Sequence, residues 1–171
     1  GQGRPVAIRR QPMQPVRPAA QHQWLKRLIG TWSFESECSM GPGQPSMRAR
    51  GRETVRALGD LWIIAEGGGE MPGGGNMNFV MTLGFDPSRG KVVGTWLADC
   101  MTTMFVYEGE LSGNVLPLDA RGPSFSDPSK IVKYQDVIEL PSDDRRVLWS
   151  QVLGDDGKWV RFMTANYTRV K

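Results

Sequence analysis

The sequence predicts an all-β fold: an up-and-down antiparallel β-barrel of about ten strands with a short helix ahead of it. Three observations carry this. Gly (21) and Pro (12) make up about a fifth of the 171 residues, well above the roughly 12% of ordinary usage, which argues against a helical bundle. Apolar and polar residues alternate in segment after segment, the period of a half-buried strand. The segments are separated by turn chemistry at Gly59-Asp60, Asp86-Pro87-Ser88-Arg89-Gly90, Ser112-Gly113-Asn114, Pro141-Ser142-Asp143-Asp144 and Asp155-Asp156-Gly157. Strands joined by short turns form a meander, and a long meander best removes its open edges by closing on itself.

Two parts are expected, a Pro-rich arm over residues 1–19 and a barrel domain over 20–171. Arg4, Arg9, Arg10 and Arg17 give the arm +4 with no acid, so against a net charge of +3 the remainder sums to −1. A basic arm could touch nucleic acid. The reading preferred is a solvated tail, or a strap docked on its own barrel or on a second copy as a homodimer, with no nucleic-acid partner.

Residues 20–29 place Trp24, Leu25, Leu28 and Ile29 on one side of a short helix, and Gly30 supplies its stop. Residues 31–39 alternate as the first strand. Further strands are read near 47–58, 61–70, 76–86, 91–100, 102–112, 114–120, 131–140, 146–154 and 158–170.

Turn lengths assign faces. The loop Pro87 to Gly90 pairs Asp86 with Lys91, so Met81 faces Trp96 and Phe79 faces Ala98, with Met77 and Phe85 on the same inner face. A two-residue turn at Gly59-Asp60 pairs Glu53 with Glu66 and puts both inside, while Arg48, Arg50, Arg52 and Arg56 face solvent. Inward Ala49, Gly51 and Ala57 then leave room for a cavity. The Asp155-Asp156-Gly157 loop pairs Gln151 with Arg161 and Trp149 with Met163. The candidate ligand-binding residues are therefore Glu53, Glu66, Met81, Trp96, Trp149, Arg161 and Met163. Facing carboxylates repel unless a cation lies between them, and Arg161 is the nearest inward cation.

Several function classes are excluded or disfavoured. The longest apolar run, Leu61 to Ala65, is too short to span a membrane. No secretory leader is visible, so a cytoplasmic location and two free, mostly buried thiols at Cys38 and Cys100 are expected. His22 is the sole histidine, which leaves no triad and no usual zinc set; a surface or capping role is expected, with no metal. Gly67 to Gly75 holds six glycines in nine residues, yet no Gly-Lys-Ser/Thr follows and no helix begins there. It reads as a mobile loop at a barrel mouth or as a plain hairpin tip.

Gly30-Thr31-Trp32, opening the first strand after a short helix, resembles the Gly-x-Trp signature of lipocalins and wider calycin barrels. That resemblance implies barrel closure by Trp32, with Arg169 of the last strand packed across it. More of the chain resembles the bacterial family called domain of unknown function fifteen-seventy-nine: His22-x-x-Leu25-x-x-Leu28-x-Gly30-x-Trp32, Gly84-Phe85-Asp86, Gly94-Thr95-Trp96-x-x-Asp99, Gly109 and Tyr167-Thr168-Arg169. It implies a lipocalin-like barrel and no activity. Phe85 stands where that family would carry Tyr, which removes a hydroxyl. A related group of ten-stranded barrels holds haem through a late histidine; residues 146–171 contain none, and no cofactor is expected.

Three functions stay open on the sequence. The first is a barrel binding a small apolar or amphipathic molecule. The second is an enzyme using Glu53, Glu66 and Arg161 for proton transfer or hydrolysis. The third is a filled-barrel scaffold that assembles through its arm.

Overall fold

The computed structural model describes residues 3–5, 16–39, 41, 43–71 and 74–171. A helix, α1 (Ala20–Lys26), precedes ten strands: β1 (Gly30–Cys38), β2 (Met47–Leu58), β3 (Trp62–Glu70), β4 (Asn76–Asp86), β5 (Lys91–Ala98), β6 (Phe105–Gly109), β7 (Val115–Pro123), β8 (Ile131–Ser142), β9 (Arg145–Leu153) and β10 (Trp159–Arg169). Each strand pairs antiparallel with its sequence neighbour, and β1 with β10, so the barrel is closed. The expected fold class stands; β6 is shorter than the sequence suggested. Residues 6–15 of the arm lie outside the described residues. Residues 3–5, Val16 and Arg17 are exposed, so the expected docking of the arm, and a dimer built on it, finds no support among the described residues.

The register explains which face each residue takes. At the β4–β5 hairpin Asp86 pairs with Lys91, Met81 with Trp96 and Phe79 with Ala98, as the four-residue turn dictates. At β2–β3 the connection has three residues, with Leu58 opposite Trp62, so Glu53 faces Gly67 and Thr54 faces Glu66. One extra turn residue reverses the parity of everything beyond it. Ile63 and Ala65 therefore point inward, and Glu66 points out. At β9–β10 Gln151 pairs with Arg161, but a bulge at Phe162 moves Met163 opposite Ser150 and Thr164 opposite Trp149. Gly157 takes the left-handed conformation that this turn requires (φ 78°).

The glycine run divides in two. Gly67, Gly68 and Gly69 are paired strand residues opposite Phe79, Asn78 and Met77, so they form no mobile loop. The β3–β4 turn itself includes residues 72 and 73, which lie outside the described residues. The strand ends that flank it, Glu70 and Asn76, pair at the barrel end opposite α1.

Cys38 and Cys100 are both free. Cys38 is partly buried in β1, but Cys100 is exposed after β5, not buried as expected. No helix among the described residues is long and apolar enough to cross a membrane.

Candidate functional site

One end of the barrel is sealed by α1. The helix starts with an N-cap in which His22 Nδ1 accepts from the Ala19 N–H at 2.9 Å, while His22 Nε2 donates to the Phe85 carbonyl at 3.1 Å. With Nδ1 accepting, Nε2 is the nitrogen that donates, and the histidine has a capping role. Along α1 and its C-terminal turn, side chains bind each hairpin turn at this end: Lys26 to Asp60, Trp24 and Arg27 to Asn114, Arg27 to Asp143, and His22 to the end of β4. Leu25 and Leu28 then press into the barrel.

Beneath them Trp32 is fully buried, its Nε1 donating to the Leu28 carbonyl at 2.9 Å. The Arg169 guanidinium lies 4.2 Å over the indole and donates to the carbonyls of Ile29 (2.6 Å), Arg27 (2.8 Å) and Asp143 (2.9 Å). Gly30 sits at φ 135° with its missing side chain replaced by that guanidinium, so only glycine fits. Val55, Ile63, Leu83, Val92, Leu116 and Leu140 complete a dry plug.

Next to this plug lies a polar layer. Arg146 and Glu53, 1% and 2% exposed, form an ion pair at 2.6 Å. The guanidinium stacks 3.9 Å over the Tyr167 ring. Burial works against the Arg146 charge, and the Glu53 carboxylate together with the Tyr167 phenol more than offsets it, so the guanidinium is held above its ordinary value. Across the interior Asp136 accepts from Tyr107 and, at 2.5 Å, from Ser150. Burial pushes the Asp136 carboxyl up, opposed by those two hydrogen bonds, and pushes the Tyr107 phenol well up, helped by the Asp136 charge. Burial likewise raises the Tyr167 phenol against the pull of Arg146.

Toward the mouth the wall becomes aromatic. Ring contacts run from Tyr167 to Phe34 (5.1 Å), Phe79 (6.2 Å), Trp96 (5.9 Å), Phe105 (6.2 Å) and Tyr134 (5.7 Å). Inward residues here, including Ser36, Cys38, Met77, Trp96, Phe105 and Met163, are half-buried, unlike the dry plug at the helix end. Gly51 and Gly67 do not leave space: the Phe34 and Phe79 rings lie where their side chains would be. The room expected at Gly51 is therefore filled by the Phe34 ring, while Ala57, at the end of β2, is exposed.

The model of the family described as "Protein of unknown function (DUF1579)" matches residues 17–169. The chain belongs to this family. No curated protein matches it. Among solved structures it is similar to Rv2717c from M. tuberculosis, at 15% identity and TM-score 0.60 over 90% of this chain and 99% of that one. It is also similar to the S-type phycobiliprotein lyase CPES from Guillardia theta, at 12% identity and TM-score 0.54 over 90% and 94%. EF1p2_mFAP2b bound to DFHBI aligns at 14% identity and TM-score 0.50 over 88% and 100%. At these identities the likeness is one of fold.

Within this DUF1579 barrel the sequence-selected residues divide. Glu53, Met81, Trp96 and Met163 face inward. Glu66, Trp149 and Arg161 do not: Glu66 is 62% exposed beside Arg56, and Arg161 stacks 3.9 Å over Trp149 on the outer wall. The longer β2–β3 turn and the bulge at Phe162 reversed their parity, so the trio Glu53, Glu66 and Arg161 does not converge. Sequence reasoning missed Arg146 and Asp136. Asp136 had a signal, since Tyr134, Ile138 and Leu140 share its parity and are buried. Arg146, in the charged run Asp143-Asp144-Arg145-Arg146, had none. No group of three His, Cys, Asp or Glu among the described residues could hold a metal. A groove of about 850 Å³ lies on the outer wall over β6, β7 and β8. Of its charged lining, Lys91 pairs with Glu110 at 2.6 Å, Glu108 with Arg89 beside the groove, and Asp119 accepts from Gln135, while Arg121 and Lys133 stay in solvent. The aromatic residues converge inside the barrel instead, and we assign the site to the interior.

Proposed function

We propose that the barrel binds a small apolar or amphipathic molecule inside, admitted at the mouth opposite α1. The observation that carries this is the contrast between its two ends. Inward side chains beside α1 are sealed, whereas in the aromatic wall Phe34, Trp96 and Phe105 are only partly buried around a buried Phe79. Concave aromatic surface with a few polar groups beneath it is the usual composition of a small-molecule site. The ligand-bound barrel EF1p2_mFAP2b and the phycobiliprotein lyase lend support by shared fold alone. In this reading Met81, Trp96 and Met163 supply apolar contact, with Glu53 at the polar floor. The enzyme reading loses its basis once Glu66 and Arg161 lie outside. Native mass spectrometry of freshly purified protein tests the proposal. A co-purified small molecule, or uptake of an added apolar dye that Trp96→Ala weakens, supports it. Bare protein that takes up no dye contradicts it.

A further inference from the structure

Arg146 is 1% exposed, and only its Nη1 has an acceptor, the Glu53 carboxylate. Nε and Nη2, which share the other edge of the guanidinium, have no partner among the described residues. Buried donors without acceptors are costly, charged ones most of all. The faces of the guanidinium are taken: Tyr167 stacks at 3.9 Å and Trp32 lies at 5.6 Å. What remains is an edge with two parallel N–H groups, a geometry that grips oxygen acceptors. Tyr167, which carries Arg146, also touches Phe34, the start of the aromatic belt.

Charge narrows the class. Glu53 already balances Arg146, and Asp136 in the same interior is held by hydroxyls rather than by a cation. A bound anion would be a further buried charge with no counterion, which is strongly unfavourable. A neutral acceptor carries no such cost. Resting on the binding reading above, we infer that the ligand presents a neutral carbonyl-type oxygen to the Nε and Nη2 edge of Arg146, with its apolar body against Phe34, Phe79 and Trp96.

Three probes of similar size test this by titration calorimetry: 2-acetylnaphthalene, 2-ethylnaphthalene and 2-naphthoate. The acetyl compound should bind about tenfold tighter than the ethyl compound, the difference one good hydrogen bond makes, and tighter than the naphthoate. The double variant Glu53→Gln/Arg146→Met removes the pair without stranding either charge and should erase the preference. If that variant does not fold, the ranking on the wild-type protein still decides. Equal affinity for the acetyl and ethyl probes overturns the inference while leaving the binding reading intact. Tightest binding of the naphthoate overturns the neutral class. Failure of all three to bind overturns both readings.

Discussion

Replacing Arg169 with Lys should loosen the sealed end while leaving net charge unchanged. Arg169 makes three guanidinium hydrogen bonds, and the two to Arg27 and Ile29 tie the end of α1 to the last strand. The third, to Asp143, is exposed and counts for little. A lysine ammonium can reach one of the two inner carbonyls but not both, and it loses the planar stack on Trp32. One charge-assisted hydrogen bond and part of a cation–π contact amount to roughly 2–3 kcal/mol. For a chain of this size that lowers the melting temperature by roughly 5–10 °C. Scanning calorimetry measures the shift, and amide exchange shows whether protection is lost first at α1 and Trp32. A variant melting within about 2 °C of the wild type, with α1 protection unchanged, would refute the reasoning.

Further outcomes follow from the same geometry. Trp32→Ala opens a cavity in the dry plug and should cost about 3–5 kcal/mol in denaturant unfolding; a cost near that of a surface substitution contradicts the plug. Because burial raises the Asp136 carboxyl in the folded state, its contribution is full below the unfolded value and is lost as pH rises through the folded one. Asp136→Asn should therefore gain on the wild type between acid and neutral pH in paired unfolding curves; the opposite trend contradicts the assignment. Glu66→Gln, on the outer wall, should change stability by no more than about 0.5 kcal/mol and leave ligand uptake intact. Cys100 is exposed, whereas Cys38 is partly buried with its thiol pushed up by burial, so iodoacetamide should label Cys100 first by mass spectrometry.

How far the sequence could be read depended on turn length and chain irregularity. Asp86 to Lys91 is a regular four-residue turn, and every inner residue on β4 and β5 followed from it. Gly59-Asp60 looks like a two-residue turn, but Leu61 joins it, and that one residue decides whether Glu66 faces water or core. The bulge at Phe162 has no marker in sequence, since it adds no glycine and no proline, yet it separates Trp149 from Met163. Trp32 and Arg169 were legible through a motif shared with other barrels. Arg146 was not, because an arginine beside a charged turn reads as a surface residue until β9 is laid against Tyr167 and Glu53.

A ligand held inside the barrel and one on its outer wall are told apart by the six tryptophans, which report position directly. Trp24 and Trp32 lie at the sealed end, Trp96 in the inner aromatic belt, and Trp62, Trp149 and Trp159 on the outside or rim. In protein labelled with 5-fluorotryptophan, a fluorine NMR titration with 2-acetylnaphthalene should move the Trp96 resonance first and furthest, leaving Trp62 and Trp149 in place. Movement of Trp62, Trp149 or Trp159 with Trp96 unchanged would put the ligand on the outer wall and contradict the account.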